Sequence, residues 1–178
     1  KTTCILAIVL LVAGFVLSER IMSFAESMAY ADKIVYSVQS PYQRVVLTKN
    51  DRELKLFLNG NLQFSSADEY RYHEALVHPG LNSVTDPKSV LVLGGGDGLA
   101  VREILRYPSV EKITLVDLDP EVTKIFKSHA SLVALNKESL LSKKVEVVNA
   151  DAFQWIRGNN TQYDFIVIDF PDPSNYSI

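Results

Sequence analysis

Cysteine is almost missing from this chain: Cys4 stands alone, so no internal disulfide can form. With no CxxC and no Cys/His cluster, neither an oxidised scaffold nor a zinc site is indicated. Histidine is nearly as scarce, with three scattered residues, and no metal ligand set is expected from them. A basic surplus is lacking too. Lys and Arg number 18 against 21 Asp and Glu, and the net charge of −3 leaves no broad basic face, which makes nucleic acid a poor partner and a cationic substrate a better one. Internal repeats and low-complexity tracts are absent. Apolar side chains are plentiful by contrast. At 47% of 178 residues they rule out wholesale disorder and supply a core for one domain with a small extra module.

From Lys33 to Phe64 the pattern is one of short strands, Ile34 to Val38, Arg44 to Thr48, Leu54 to Leu58 and Leu62 to Phe64, with Asn50-Asp51 and Asn59-Gly60 as turns. Asp68 reads as a helix N-cap, Glu69 as its first turn, and Arg71 to Val77 as its body, stopping at Pro79-Gly80. Residues 33–80 therefore make a small antiparallel β module and a helix. After the polar linker Asn82 to Pro87, strands at Val90–Leu93, Lys112–Val116, Val145–Val148 and Phe165–Ile168 alternate with helices at Leu99–Arg106, Pro120–Ser128 and Phe153–Arg157. Continuous β-branched runs alternating with helices predict a doubly wound, Rossmann-like α/β domain over 81–178, its parallel sheet covered on both faces.

Gly94-Gly95-Gly96-Asp97-Gly98 follows the first buried strand and precedes a helix. Glycines at such a turn permit positive φ and let a ligand approach backbone amides without Cβ interference, although a tight structural turn has the same composition. Asp117 ends the second strand about twenty residues on, where a carboxylate can accept both ribose hydroxyl hydrogens. Asp119, before Pro120, reads as a helix N-cap. Asp151, with Ala152, stands at a third strand tip and reads equally as an adenine-side residue or a helix cap. The loop lacks the Lys-Ser/Thr ending of a P-loop, and Asp97 sits where a pyrophosphate would lie. A nucleoside without phosphates, S-adenosylmethionine or a relative, is the expected ligand.

Five segments in order, Tyr42-Gln43, Asp68 to Glu74, Gly94 to Gly98, Asp117-Leu118-Asp119 with Asp151-Ala152, and Asp169 to Pro173, resemble the spermidine synthases. That resemblance implies transfer of an aminopropyl group from decarboxylated S-adenosylmethionine, the co-substrate, to putrescine or a similar diamine, giving spermidine and methylthioadenosine. It implies further that Gln43, Gly94, Gly95, Gly96, Asp117, Asp151 and Ala152 hold the nucleoside. Asp97 receives the amine of the aminopropyl chain, Asp169 is the catalytic base, and Tyr72 and Asp172 bind the acceptor. His73 reads either as a hydrogen-bonding residue of the site or as a structural helix-face histidine, and it is assigned no catalytic role. Phe170-Pro171 departs from the small hydroxyl residues that many members carry between the last two acids, and Asp117 is shorter than their usual glutamate.

A methyltransferase using ordinary S-adenosylmethionine would share the sheet, loop and ribose acid, but Asp97 with Asp169 and Asp172 argues against it. A tethered binding module without turnover is the third reading, and Asp169 weighs against that. The small strand module fits the dimer contacts of that family and plain domain packing equally well, so a homodimer and a monomer both stay open.

Thr2 to Ser18 carries no charge and at helical rise spans about 25 Å, slightly under a hydrocarbon core of about 30 Å. A membrane helix, a signal peptide ending at Val16-Leu17-Ser18 and a buried core helix compete for it. Because a nucleotide-using enzyme belongs with the cytosolic nucleotide pool, a transmembrane helix over 1–18 is expected. An amphipathic connector over 19–32 would follow, with the catalytic domain on the cytoplasmic side of the membrane. This suggests the membrane-embedded branch of the family. Starting at Lys1 without a methionine and stopping at Ile178 soon after an apolar strand, the chain reads as a fragment cut at both ends, its 81–178 domain C-terminally truncated.

Overall fold

The computed structural model describes residues 11–12, 14–18 and 28–170. Four strands, β1 (Lys33–Gln39), β2 (Arg44–Lys49), β3 (Leu54–Leu58) and β4 (Asn61–Ser65), form an antiparallel meander in chain order. Asn59 and Gly60 both take positive φ, 50° and 79°, the geometry that matches a two-residue turn to strand twist. β2 is the packed centre, with Val45, Val46, Leu47 and Thr48 all buried.

Helix α1 (Glu69–Leu81) starts at Asp68, whose side chain makes no capping bond, and runs past the expected stop with Pro79 inside it. The lost hydrogen bond is tolerated because the last turn is anchored from outside. Leu81 is buried, and Gly80 lies so close to the Phe165 ring that a Cβ there would stand 2.6 Å from it.

The second half alternates β5 (Ser89–Gly94), α2 (Leu99–Ile104), β6 (Lys112–Asp117), α3 (Pro120–Ser128), α4 (Ala130–Leu135), β7 (Val145–Asn149), α5 (Ala152–Gly158) and β8 (Phe165–Asp169). A 3₁₀ turn, Ser139–Leu141, and α4 are additions that sequence periodicity did not show. The four strands are parallel in the order β7-β6-β5-β8. The chain winds outward from β5 through β6 to β7, then returns to place β8 on the other side of β5. Order reverses there, and in open α/β sheets ligands bind at the strand tips of that reversal.

One apolar cluster joins the β module to the parallel sheet, from Val45, Leu56 and Phe64 through Val77 to Val92, Ile113, Leu115 and Phe126. Phe64 meets Phe126 edge to face at 5.9 Å, so the meander packs as part of the main core. The opposite sheet face is thinner. Leu91, Leu93, Val116 and Ala152 pack there under Trp155, while Ile166 and Ile168 of β8 remain 51% and 58% exposed. Coverage on both faces, as expected from the apolar runs, holds for β5 and β6 and fails at the β8 edge.

The expected membrane helix is corrected. Among the described residues no helix is long and apolar enough to cross a membrane. Leu11, Val12 and Gly14 to Ser18 are helical. Residues 1–10, 13 and 19–27, and with them most of the predicted helix and connector, lie outside the described residues. The membrane location inferred from that helix loses its basis.

Candidate active site

The strand order brings the predicted residues together. β5 is central and ends in the glycine loop; β6 and β8 flank it and end in Asp117 and Asp169, with Gly94 in register with Asp169. Gly94, Gly95 and Gly98 have positive φ, and the loop is packed as well as bent. A Cβ at Gly94 would collide with the Asp169 carbonyl, and one at Gly95 would stand 2.8 Å from the Asp169 carboxylate. Gly96 donates its N–H to Asp117 Oδ2 at 2.9 Å, and the Asp119 N–H reaches Asp117 Oδ1 at 2.9 Å. Burial pushes the Asp117 carboxyl above the usual range, against those two N–H donors.

A methyl group at Gly96 would lie within 2.6–2.9 Å of the Asp117 carboxylate atoms, and that carboxylate is pinned at both oxygens. If the loop holds the nucleoside expected from sequence, Gly96→Ala should therefore weaken methylthioadenosine binding by about tenfold or more, a shift of about 1.4 kcal/mol, measured by calorimetry. Unchanged affinity would show that Asp117 takes no part in binding.

On the β8 side, the Tyr72 hydroxyl donates to Asp169 Oδ1 at 2.8 Å. Burial, then the Asp169 charge, pushes the Tyr72 phenol up, which keeps it a donor. Asp97, whose Oδ1 accepts the Leu99 N–H at 2.9 Å, faces the same space. A ring nitrogen of His73 and one oxygen each of Asp97 and Asp169 lie within 4.8 Å of one another, spacing that suits a bound cation. Burial and then the Asp97 charge raise the Asp169 carboxyl to about 6, while the Tyr72 bond and His73 oppose the shift. Burial raises Asp97 as well, with His73 working against it. Carboxyls whose charge is disfavoured by burial gain most when a cation arrives.

His73, whose two readings the sequence leaves open, lies with the acids of the site. It is buried, and its Nδ1 contacts both the Glu69 carbonyl at 2.8 Å and Glu69 Oε2 at 2.9 Å. Arg102 holds Glu69 with two bonds, 2.7 Å to Oε1 and 3.0 Å to Oε2, and reaches Glu103 at 2.8 Å. Burial acts to raise Glu69 and to lower His73, but the His73 and Arg102 bonds hold Glu69 low, and the Glu69 bond with the Asp97 and Asp169 charges raises His73. The one sequence signal was the four-residue spacing of Glu69 and His73. Glu74, His78 and Glu103 form a second cluster of metal-ligand type, but the Arg106 guanidinium already contacts all three, at 3.4, 3.4 and 2.6 Å.

The remaining expected residues divide. Gln43 Nε2 and Ser40 Oγ both donate to Asp119 Oδ2, at 2.9 and 2.7 Å, so the β1–β2 turn is tied to the tip of β6. Asp119 also caps α3, accepting the Glu121 N–H at 3.0 Å. Asp151 caps α5 by accepting the Phe153 and Gln154 N–H groups at 2.8 and 3.1 Å, and Ala152 is buried beside it. Phe170 stacks on Phe153 at 5.7 Å. Asp172 lies outside the described residues.

A parallel sheet with a glycine loop and acids at its reversal point is the doubly wound α/β class, whose ligands sit at the strand tips. Comparison with known proteins narrows the class. A spermine/spermidine synthase domain model matches residues 69–177, and the chain belongs to that family. A polyamine aminopropyltransferase of Leptospira interrogans is 53% identical over 178 residues, covering 100% of this chain and 36% of its own length. Polyamine aminopropyltransferase 2 of Ralstonia nicotianae is 54% identical over 168 residues, 94% of this chain and 33% of its own. A solved spermidine synthase in complex with the transition-state analogue AdoDATO superposes with a TM-score of 0.74 at 32% identity, covering 82% of this chain and 49% of that one. The chain spans about a third of the length of the curated relatives it matches.

Proposed function

We propose that the protein transfers the aminopropyl group of decarboxylated S-adenosylmethionine to putrescine or a similar diamine, giving spermidine and methylthioadenosine. The observation that carries this reading is the group of Asp97, Asp169, Tyr72 and His73 beside the glycine loop, an anionic site for amines next to a nucleoside site. Asp117 accepts the ribose hydroxyls, the loop amides face the nucleoside, and Gln43, Asp151 and Ala152 complete its surround. Asp97 receives the donor's amine. An ordinary S-adenosylmethionine would bring its own carboxylate toward that buried acid, so charge selects the decarboxylated form.

Putrescine is a dication in water and attacks only through a free lone pair. Asp169 takes one proton from the attacking ammonium, aided by its raised carboxyl, while Tyr72 and Asp172 hold the nitrogen in line. The nitrogen lone pair forms the new C–N bond at the methylene beside the sulfonium. The C–S pair returns to sulfur, leaving a neutral thioether, so no acid is needed for the leaving group. Incubation of the protein with decarboxylated donor and putrescine tests this: spermidine and methylthioadenosine should appear in equal amounts. Tighter binding of S-adenosylmethionine than of its decarboxylated form would overturn the reading in favour of methyl transfer.

The base must be ionised to act, and a raised acid loses its ionised form early as pH falls. The plot of log kcat/KM for the acceptor against pH should therefore bend downward by one further unit of slope, about tenfold per pH unit, below a pH of about 6. No such bend, or one that persists in Asp169→Asn, would remove Asp169 from the base role.

A further inference from the structure

Among the described residues Glu69 and Arg102 make no hydrogen bond to the strand-tip acids, yet they are buried where α1 meets α2, at 6% and 8% exposure. Burying an ion pair is costly, and an apolar pair of the same volume often serves packing as well or better. What this pair touches suggests its use. The two groups that meet His73 Nδ1, the Glu69 carbonyl and Glu69 Oε2, are both acceptors, so Nδ1 carries a proton. Arg102 fixes both Glu69 oxygens, and Arg102 is itself held by Glu103 and by the Leu135 carbonyl at 3.0 Å. Tyr72 meets the His73 ring edge to face at 5.0 Å, which sets the ring plane from the other side. With Nδ1 occupied, Nε2 is the nitrogen left for the side of Asp97 and Asp169.

We propose that Glu69, clamped by Arg102, is a positioning residue that fixes the His73 Nδ1 proton and thereby presents Nε2 to the amine gathered between Asp97 and Asp169. The inference rests on the aminopropyl-transfer reading. The charges of Asp97 and Asp169 that help raise His73 are neutralised when the cationic amine arrives, so in the reacting complex the ring is neutral, Nε2 accepts one N–H of the attacking nitrogen and aims its lone pair, and Asp169 removes the proton that must leave. The logic is that of a carboxylate that sets a histidine's tautomer and orientation without itself exchanging a proton. A purely structural role for the pair predicts the same folded protein but no dependence on His73.

Glu69→Gln keeps the shape and can still accept from Arg102, but its amide N–H₂ can donate to Nδ1 and invert the tautomer. The expected result is a kcat loss on the order of 100-fold, with methylthioadenosine affinity unchanged, as for loss of an acid–base alignment. ¹⁵N shifts of His73 in the methylthioadenosine complex should show the Nδ1–H form in wild type and the Nε2–H form in the variant. In a His73→Ala background, adding Glu69→Gln should cost nothing further in kcat. If the losses add, if kcat falls less than about 3-fold, or if the tautomer does not change, Glu69 is structural only. Should Glu69→Gln not fold, Arg102→Lys supplies the same test: it keeps the charge and loses the fork, and its kcat loss must likewise vanish without His73. A wild-type protein that made no spermidine would sink the functional reading and leave the ¹⁵N result standing.

Discussion

Asp169→Asn should reduce kcat for spermidine formation by about 10³-fold, in the middle of the range for removing a general base. Asparagine keeps the shape and still accepts the Tyr72 hydroxyl bond seen at 2.8 Å, so the surroundings have little reason to move. It has no lone pair basic enough to take an ammonium proton. Binding of methylthioadenosine, which the proposed function puts on the β6 side of the loop, should stay within about 3-fold in calorimetry, less than 1 kcal/mol. Turnover equal to wild type would remove the base assignment. Loss of nucleoside binding would show instead that Asp169 supports the loop, against which Gly94 and Gly95 are packed.

The second large effect belongs to Asp97. Its carboxyl is buried and its charge disfavoured, a cost that a bound amine offsets. Truncating one partner of a buried charge pair costs about 2–5 kcal/mol, so Asp97→Asn should raise KM for the decarboxylated donor by about 30-fold or more. The preference over S-adenosylmethionine should collapse at the same time, because the repulsion of the substrate carboxylate disappears with the charge. Stability should move the other way. A carboxyl raised in the folded state favours unfolding when it ionises, so the amide variant should melt at or above the wild-type Tm at neutral pH. Kinetics with both donors, and a melt, check the three outcomes; an undiminished donor preference would show that discrimination lies elsewhere.

Much of this arrangement is legible in the chain. β5, β6 and the glycine loop follow from an unbroken apolar run meeting five residues with four glycines, because a buried parallel strand and a ligand turn both have strict local demands. The acids at Asp117 and Asp169 follow from their place at strand ends. What was illegible depended on distant partners. Helix α1 continues through Pro79 because Gly80 meets Phe165, a residue 85 positions on. His73 joins the site because Arg102 of α2 fixes its neighbour Glu69, a pairing no local spacing announces. Gln43 looked like a ligand contact, and here its amide is engaged with Asp119. The Asp151 question had two answers from sequence, and the cap is the one seen without a ligand. Ile166 and Ile168 look like core residues by composition, yet among the described residues their face of β8 stands exposed while Val167 on the other face is buried.

Asp119 also constrains how this protein can be recombined with its relatives. One oxygen of a carboxylate that is 1% exposed accepts from Ser40 and Gln43, which lie 79 and 76 positions away. The meander and the sheet can therefore not be exchanged as independent parts at the Asn82 to Pro87 linker, inviting as that crossover looks. A chimera that brings a residue unable to make these bonds to either end strips the buried Asp119 Oδ2 of its side-chain donors, and the three positions must travel together as one inherited unit.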